Sequence, residues 1–226
     1  MKNFRVETPH GSVVFSADSP NPRVLAIHGF LRQADQLLPW RERIPGLGFV
    51  HLPGHSNAPD LSEVSVPAWA ASLDAMMDVF EQPPLLIAES LGAVIAMHLR
   101  SRALIAVEPL LSTHSLWPLH RAIRRLRAQG VEVRADHEAL FGRPFTDVLT
   151  RIRAPTLVLA GMEPLLPPRP VEGAPSLLSD EDFAAYAGHR LVEARRIPGG
   201  HALLDESPGQ VIEAAAGFMA RHGYLG

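Results

Sequence analysis

Apolar residues along this chain fall into two rhythms. Val24 to Ile27, Leu85 to Ala88, Ala103 to Val107 and Ala154 to Gly161 are short and almost wholly apolar, the pattern of strands buried on both faces. Gly48 to Leu52 and Leu191 to Ile197 read as further strands. Between them come stripes at helical spacing: Val66, Trp69, Ala70, Leu73, Met76, Met77 and Phe80; Leu91, Val94, Ile95 and Leu99; and Val211, Ile212, Ala215, Phe218 and Met219. Start signals sit at the expected places. Ser65 with Pro67, Ser179, and Ser207 with Pro208 each precede a helical pattern, and Pro83 and Pro84 end one. At the N-terminus, Phe4 to Glu7 and Ser12 to Ser16 alternate around Pro9-His10-Gly11, which predicts an antiparallel hairpin at a sheet edge. Strands and helices therefore alternate over most of the chain, an α/β class.

One region breaks the alternation. From Ser112 to Arg153 the chain carries an arginine-rich helical stretch (Leu116 to Gln129), a short run at Val131 to Arg134 and a helical piece around His137 to Phe141, with no long strand. An insertion at about 112–153 between two sheet strands is where a small lid is expected. The rest, 1–226, reads as a single domain carrying that insertion.

Composition narrows the chemistry. A chain of 226 residues with 46% hydrophobic content can bury a full core without a staple. The absence of cysteine excludes thiol nucleophiles, thiolate metal sites and disulfides, so catalysis would have to use oxygen and nitrogen groups. No metal and no cofactor is expected. The net charge of -3 and a single dense basic run, Arg121 to Arg127, give no indication of nucleic acid, and that run reads as a solvated helix face. Met1 to Glu7 lacks a signal-peptide core, and nowhere do about 18 apolar residues run uninterrupted, so a soluble, cytoplasmic protein without membrane contact is expected.

The candidate chemistry starts where a strand becomes a helix. Leu85 to Ala88 ends at Glu89-Ser90, and the helical stripe begins at Leu91, so Ser90 occupies the turn of a nucleophile elbow, with small residues Ala88 and Gly92 on either side. A helix N-terminus there presents free N–H groups, that of Leu91 first. The strand Val24 to Ile27 ends in His28-Gly29-Phe30, a bend that can turn the Phe30 N–H toward the neighbouring strand tip. Together, the amides of Phe30 and Leu91 would make an oxyanion hole.

A serine hydroxyl needs a base, and His201 follows the last strand behind Gly199 and Gly200. That imidazole in turn needs a carboxylate to fix its tautomer. Glu163, just past the strand ending at Gly161, is the first expectation; Glu108 at the tip of Ala103–Val107 is the alternative, and Asp180 and Asp182 are further carboxylates in reach of the role. His55, in the Pro53-Gly54-His55 loop ahead of the serine, reads as a support of loop geometry. Leu31, Trp40, Trp117 and His28 are candidate pocket side chains.

These stretches together resemble the α/β-hydrolase family over nearly the whole length: Val24 to Phe30, Leu52-Pro53-Gly54-His55, Leu86 to Ala93, Pro155 to Glu163, and Ile197 to Ala202. The resemblance implies a mostly parallel central sheet with helices on both faces, cofactor-free catalysis and a serine acyl-enzyme mechanism. The chain departs from the family at Ala88, where a glycine is usual, at Glu163, which replaces an aspartate on a loop one residue shorter, at His51 and at Ser56. The expected function is hydrolysis of a small or medium ester or thioester. A lyase or carbon–carbon bond hydrolase using the same residues is the alternative, and a non-catalytic binding member of the fold a third. The partner expected is a small-molecule substrate; oligomeric state is not legible.

Overall fold

The computed structural model describes residues 1–133, 136–170 and 174–224. Arg134 and Ala135 of the expected insertion, and 171–173 of the proline-rich loop, lie outside the described residues. Among the described residues eight strands form one sheet: β1 (Lys2–Thr8), β2 (Gly11–Ala17), β3 (Val24–Ile27), β4 (Gly48–His51), β5 (Leu85–Glu89), β6 (Ala103–Val107), β7 (Thr156–Gly161) and β8 (Val192–Ile197). Their order across the sheet is β1-β2-β4-β3-β5-β6-β7-β8. β1 and β2 form the expected antiparallel hairpin, β2 also runs antiparallel to β4, and every later pairing is parallel.

The all-apolar strands are buried on both faces because helices cover both. On one side pack α1 (Val66–Met77), α2 (Ser90–Ala96), α3 (Trp117–Ala128) and α6 (Asp180–Ala187), through Trp69, Leu73, Val94, Ile123 and Tyr186. On the other lie a 3-10 helix (Ala34–Glu42), α7 (Leu203–Glu206) and α8 (Pro208–Arg221), through Leu37, Trp40, Leu203, Val211 and Phe218. The side chains of each central strand are divided by their two-residue period: Leu86 and Ala88 face the first layer, Leu85 and Ile87 the second. Among its described residues, the stretch between β6 and β7 holds α3, α4 (His137–Phe141) and α5 (Val148–Arg151) and no strand.

Local start signals hold with one exception. Ser65 and Ser179 accept backbone N–H bonds from Ala68 and Asp182, three residues on. Ser207 does not cap α8. Its hydroxyl donates to the Pro198 carbonyl at 2.6 Å and fastens the helix to the loop that carries His201. The 3-10 helix was not legible in the sequence, because Pro39 lies inside it and its stripe is short. Ser56 has φ +49°, the left-handed conformation glycine adopts freely.

Candidate active site

Parallel strands bring their C-terminal tips to one edge, and the strand order decides which loops meet there. β5 stands between β3 and β6, so Ser90 has the His28-Gly29-Phe30 loop on one side and the tip of β6 on the other. The elbow is as tight as the sequence implies. Ser90 has φ +52°, and a Cβ added at Gly92 would lie 2.4 Å from the His28 carbonyl oxygen and 2.7 Å from that of Ile27. Only glycine permits that approach of α2 to β3. The loop reaches the elbow too, since a Cβ built on Gly29 falls 3.2 Å from the Cβ of Ser90.

Ser90 Oγ lies 3.1 Å from His201 Nε2, and His201 Nδ1 lies 2.9 Å from Glu108 Oε2. A carboxylate can only accept, so Nδ1 carries the ring proton and Nε2 keeps the lone pair that faces the hydroxyl. The acid in this chain of hydrogen bonds is Glu108, not Glu163. The register explains it: Glu89 pairs with Val107, so the next residues, Ser90 and Glu108, emerge side by side. Glu108 is the other strand-tip residue held at φ +52°, and it is 1% exposed.

Glu163 takes a different course. Its side chain is exposed. Beyond β7 the backbone is drawn aside by a pairing with Ser176: Ser176 N–H donates to the Glu163 carbonyl at 2.9 Å, and Leu165 N–H to the Ser176 carbonyl at 2.9 Å. The last residue of β7 and the segment after it supply donors to the carboxylate rather than a carboxylate. Gly161 N–H (2.6 Å) and Ser176 Oγ–H (2.6 Å) donate to Glu108 Oε1, and Leu177 N–H (3.1 Å) to Oε2. With His201, four donors satisfy a buried anion that would be costly if left bare. The other carboxylates weighed for the role are engaged elsewhere: Asp182 accepts from Ser112 Oγ at 2.6 Å, and Asp180 pairs with Arg169 and Arg196.

Leu91 lies in the first turn of α2, so its N–H has no carbonyl behind it within the helix. His55 does support the loop: Nδ1 lies 2.9 Å from the Pro53 carbonyl, and Nε2 meets the carbonyl of Phe30. His28 lies beneath it, fully buried, with Nδ1 donating to Gly29 O at 2.8 Å and Nε2 accepting Leu52 N–H at 3.1 Å. Burial pushes its pKa down from 6.5 to about 3, so the ring is neutral.

A cleft of about 290 Å³ opens over Ser90 and His201, walled by Phe30, Leu31, Leu119, Gln36, Glu89, Arg32 and Asp205. Of the candidate pocket side chains, Leu31 lines this cleft. His28 is buried under the loop instead, and Trp40 packs in the opposite layer with Phe49 and Leu47. Trp117 stands 52% exposed two residues before Leu119, on a different face of α3, and Leu119 is the α3 side chain that reaches the cleft. Arg32 and Glu89 escaped the sequence reading, though Glu89's place immediately before the serine was a usable signal. Burial pushes the Glu89 carboxyl above its ordinary range, and the neighbouring Arg32 opposes that shift. Among the described residues no group of three or more histidine, cysteine, aspartate or glutamate side chains could hold a metal ion, and no helix is long and apolar enough to cross a membrane.

No protein-family model matches the chain, and no curated protein does either. Solved structures do. A thermophilic esterase from Thermogutta terrifontis superposes with a TM-score of 0.69 at 16% identity, over 98% of this chain and 99% of that one. An N-formylmaleamic acid deformylase from Pseudomonas putida gives 0.70 at 16% identity, over 95% of this chain and 100% of that one. The thioesterase domain from the curacin biosynthetic pathway gives 0.60 at 22% identity, over 97% of this chain and 98% of that one.

Proposed function

The chain has the α/β-hydrolase fold, and from that premise we propose that it is a serine acyl hydrolase acting on small or medium esters or thioesters. The observation that carries this is the unbroken run Ser90–His201–Glu108 at a tight strand-to-helix turn. Ser90 Oγ attacks the acyl carbon while His201 Nε2 takes its proton. Glu108 holds the imidazole in the required tautomer and stabilises it once charged. The N–H groups of Phe30 and Leu91 receive the oxyanion, a pair of donors that typically contributes about 3 kcal/mol each. His201 then protonates the leaving group, and water repeats the sequence on the acyl-enzyme. The segment between β6 and β7 acts as a small lid: Leu119 of α3, with Leu31 and Phe30, gives the cleft an apolar wall for a short acyl or alcohol group.

The test joins a fluorophosphonate probe with a substrate panel. Peptide mapping should find the adduct on Ser90, and esters and thioesters of graded length should be turned over by the wild type, with Ser90→Ala losing at least about 10⁴-fold in kcat. An adduct on another serine, or full activity in Ser90→Ala, would sink the reading.

A further inference from the structure

Glu89 and Arg32 touch the elbow without entering the run through His201. Glu89 is the last residue of β5, and its side chain turns toward the β3 loop rather than to solvent. Its Oε1 accepts Gly29 N–H at 3.1 Å and forms an ion pair with Arg32, Nε lying 2.5 Å away. Arg32 closes the same turn from the backbone, donating its N–H to the Gly29 carbonyl at 3.2 Å. Its guanidinium then reaches a third loop, pairing Nη1 and Nη2 with the two oxygens of Asp205 at 3.2 and 2.5 Å. Asp205 lies in α7, directly after the His201 loop. One cation thus bridges the β3 loop, the elbow and the histidine loop. The Glu89–Arg32 half of the bridge is nearly dry, with side-chain exposures of 8% and 16%, whereas Asp205 is 58% exposed.

The bond from Gly29 matters for the residue after it. Once the Gly29 N–H is committed to Glu89, the peptide orientation of the next unit, which carries the Phe30 N–H, is constrained from one end; His55, bonding the Phe30 carbonyl, constrains it from the other. We propose that Glu89 and Arg32 are positioning residues that hold the oxyanion loop against the elbow and carry the same restraint to the His201 loop through Asp205. This rests on the reading of Ser90 as nucleophile.

The role predicts a pattern across conservative and disruptive variants. Glu89→Gln keeps an Oε1 that can accept from Gly29, whereas Glu89→Leu removes it. Arg32→Lys keeps a charge, but one ammonium cannot reproduce the fork that spans Glu89 and both Asp205 oxygens. Acylation by the fluorophosphonate probe and steady-state kinetics on one ester should be measured for each. Glu89→Leu and Arg32→Gln should slow acylation and kcat about 10–100-fold with KM within about threefold, the cost of a misplaced donor. Glu89→Gln should lose at most about threefold, Arg32→Lys about 5–10-fold, and Asp205→Asn about threefold. In a double-mutant cycle, Asp205→Asn should add nothing to Arg32→Gln.

A probe that leaves wild-type Ser90 unlabelled overturns the nucleophile assignment and this proposal with it. Wild-type labelling at Ser90 combined with unimpaired acylation in Arg32→Lys and Arg32→Gln overturns the positioning role alone. So does a loss confined to KM or to melting temperature. Should Glu89→Leu fail to fold, the two arginine variants decide.

Discussion

β6 and β7 lie side by side, and each delivers a glutamate at or just beyond its C-terminal tip, yet the two have opposite fates. Glu108 is buried, held at positive φ and bonded by four donors; Glu163 is exposed and contributes only its backbone, to a pairing with Ser176. A carboxylate at a strand tip is thus not enough. What turns one into the partner of a histidine is a set of donors that replaces water, and here the chain beyond β7 spends its polar groups on building that set for its neighbour.

The sharpest way to break this comparison is the matched pair Glu108→Gln and Glu163→Gln. The first should lower kcat about 10³–10⁴-fold, because an amide no longer holds the imidazole in the right tautomer or offsets its charge. The second should leave kcat within about twofold. Equal effects, or the reverse order, would return the role to Glu163.

Stability should divide the two tips as well. Glu108→Ala strands the buried Gly161 and Leu177 amides and the Ser176 hydroxyl, and should cost about 2–4 kcal/mol in urea unfolding, against under about 0.5 kcal/mol for Glu163→Ala.

A third prediction extends the comparison to β3, where the buried polar group is a base. The folded pKa of His28, pushed down to about 3, lies below its ordinary value of 6.5. The unfolded chain therefore binds the proton first, and the stability His28 contributes is fully present above pH 6.5 and is lost as pH falls toward 3. Unfolding free energy should drop by about 1 kcal/mol per pH unit from this residue between pH 6 and 4. A His28→Gln variant should lack that slope; an unchanged slope would show that the ring is not held neutral.

Smallest is Ser176→Ala, which removes one of the donors on Glu108. It should cost about 1–2 kcal/mol of stability and about 3–10-fold in kcat, with KM little changed. No change in kcat would mean that the remaining donors orient the carboxylate unaided.

Much of this molecule is written locally. Val24–Ile27, Leu85–Ala88 and Ala103–Val107 are wholly apolar runs and form strands buried between two layers of helices, and the start of α1 is set by Ser65. The elbow was legible in Ser90 and Gly92, since a turn that brings a helix against a strand leaves room for no Cβ. His201 was legible because a histidine loop after the last strand has one edge to reach. The choice between Glu108 and Glu163 was not, for it depends on the Glu89–Val107 register and on Ser176, 68 positions from Glu108 in the chain. Nor was the bridge from Glu89 through Arg32 to Asp205, which joins loops separated by up to 173 residues. Periodicity and capping act within a few residues and so appear in the sequence as pattern. Register and loop closure depend on contacts between distant segments, and only the assembled sheet decides which carboxylate loses its water and which keeps it.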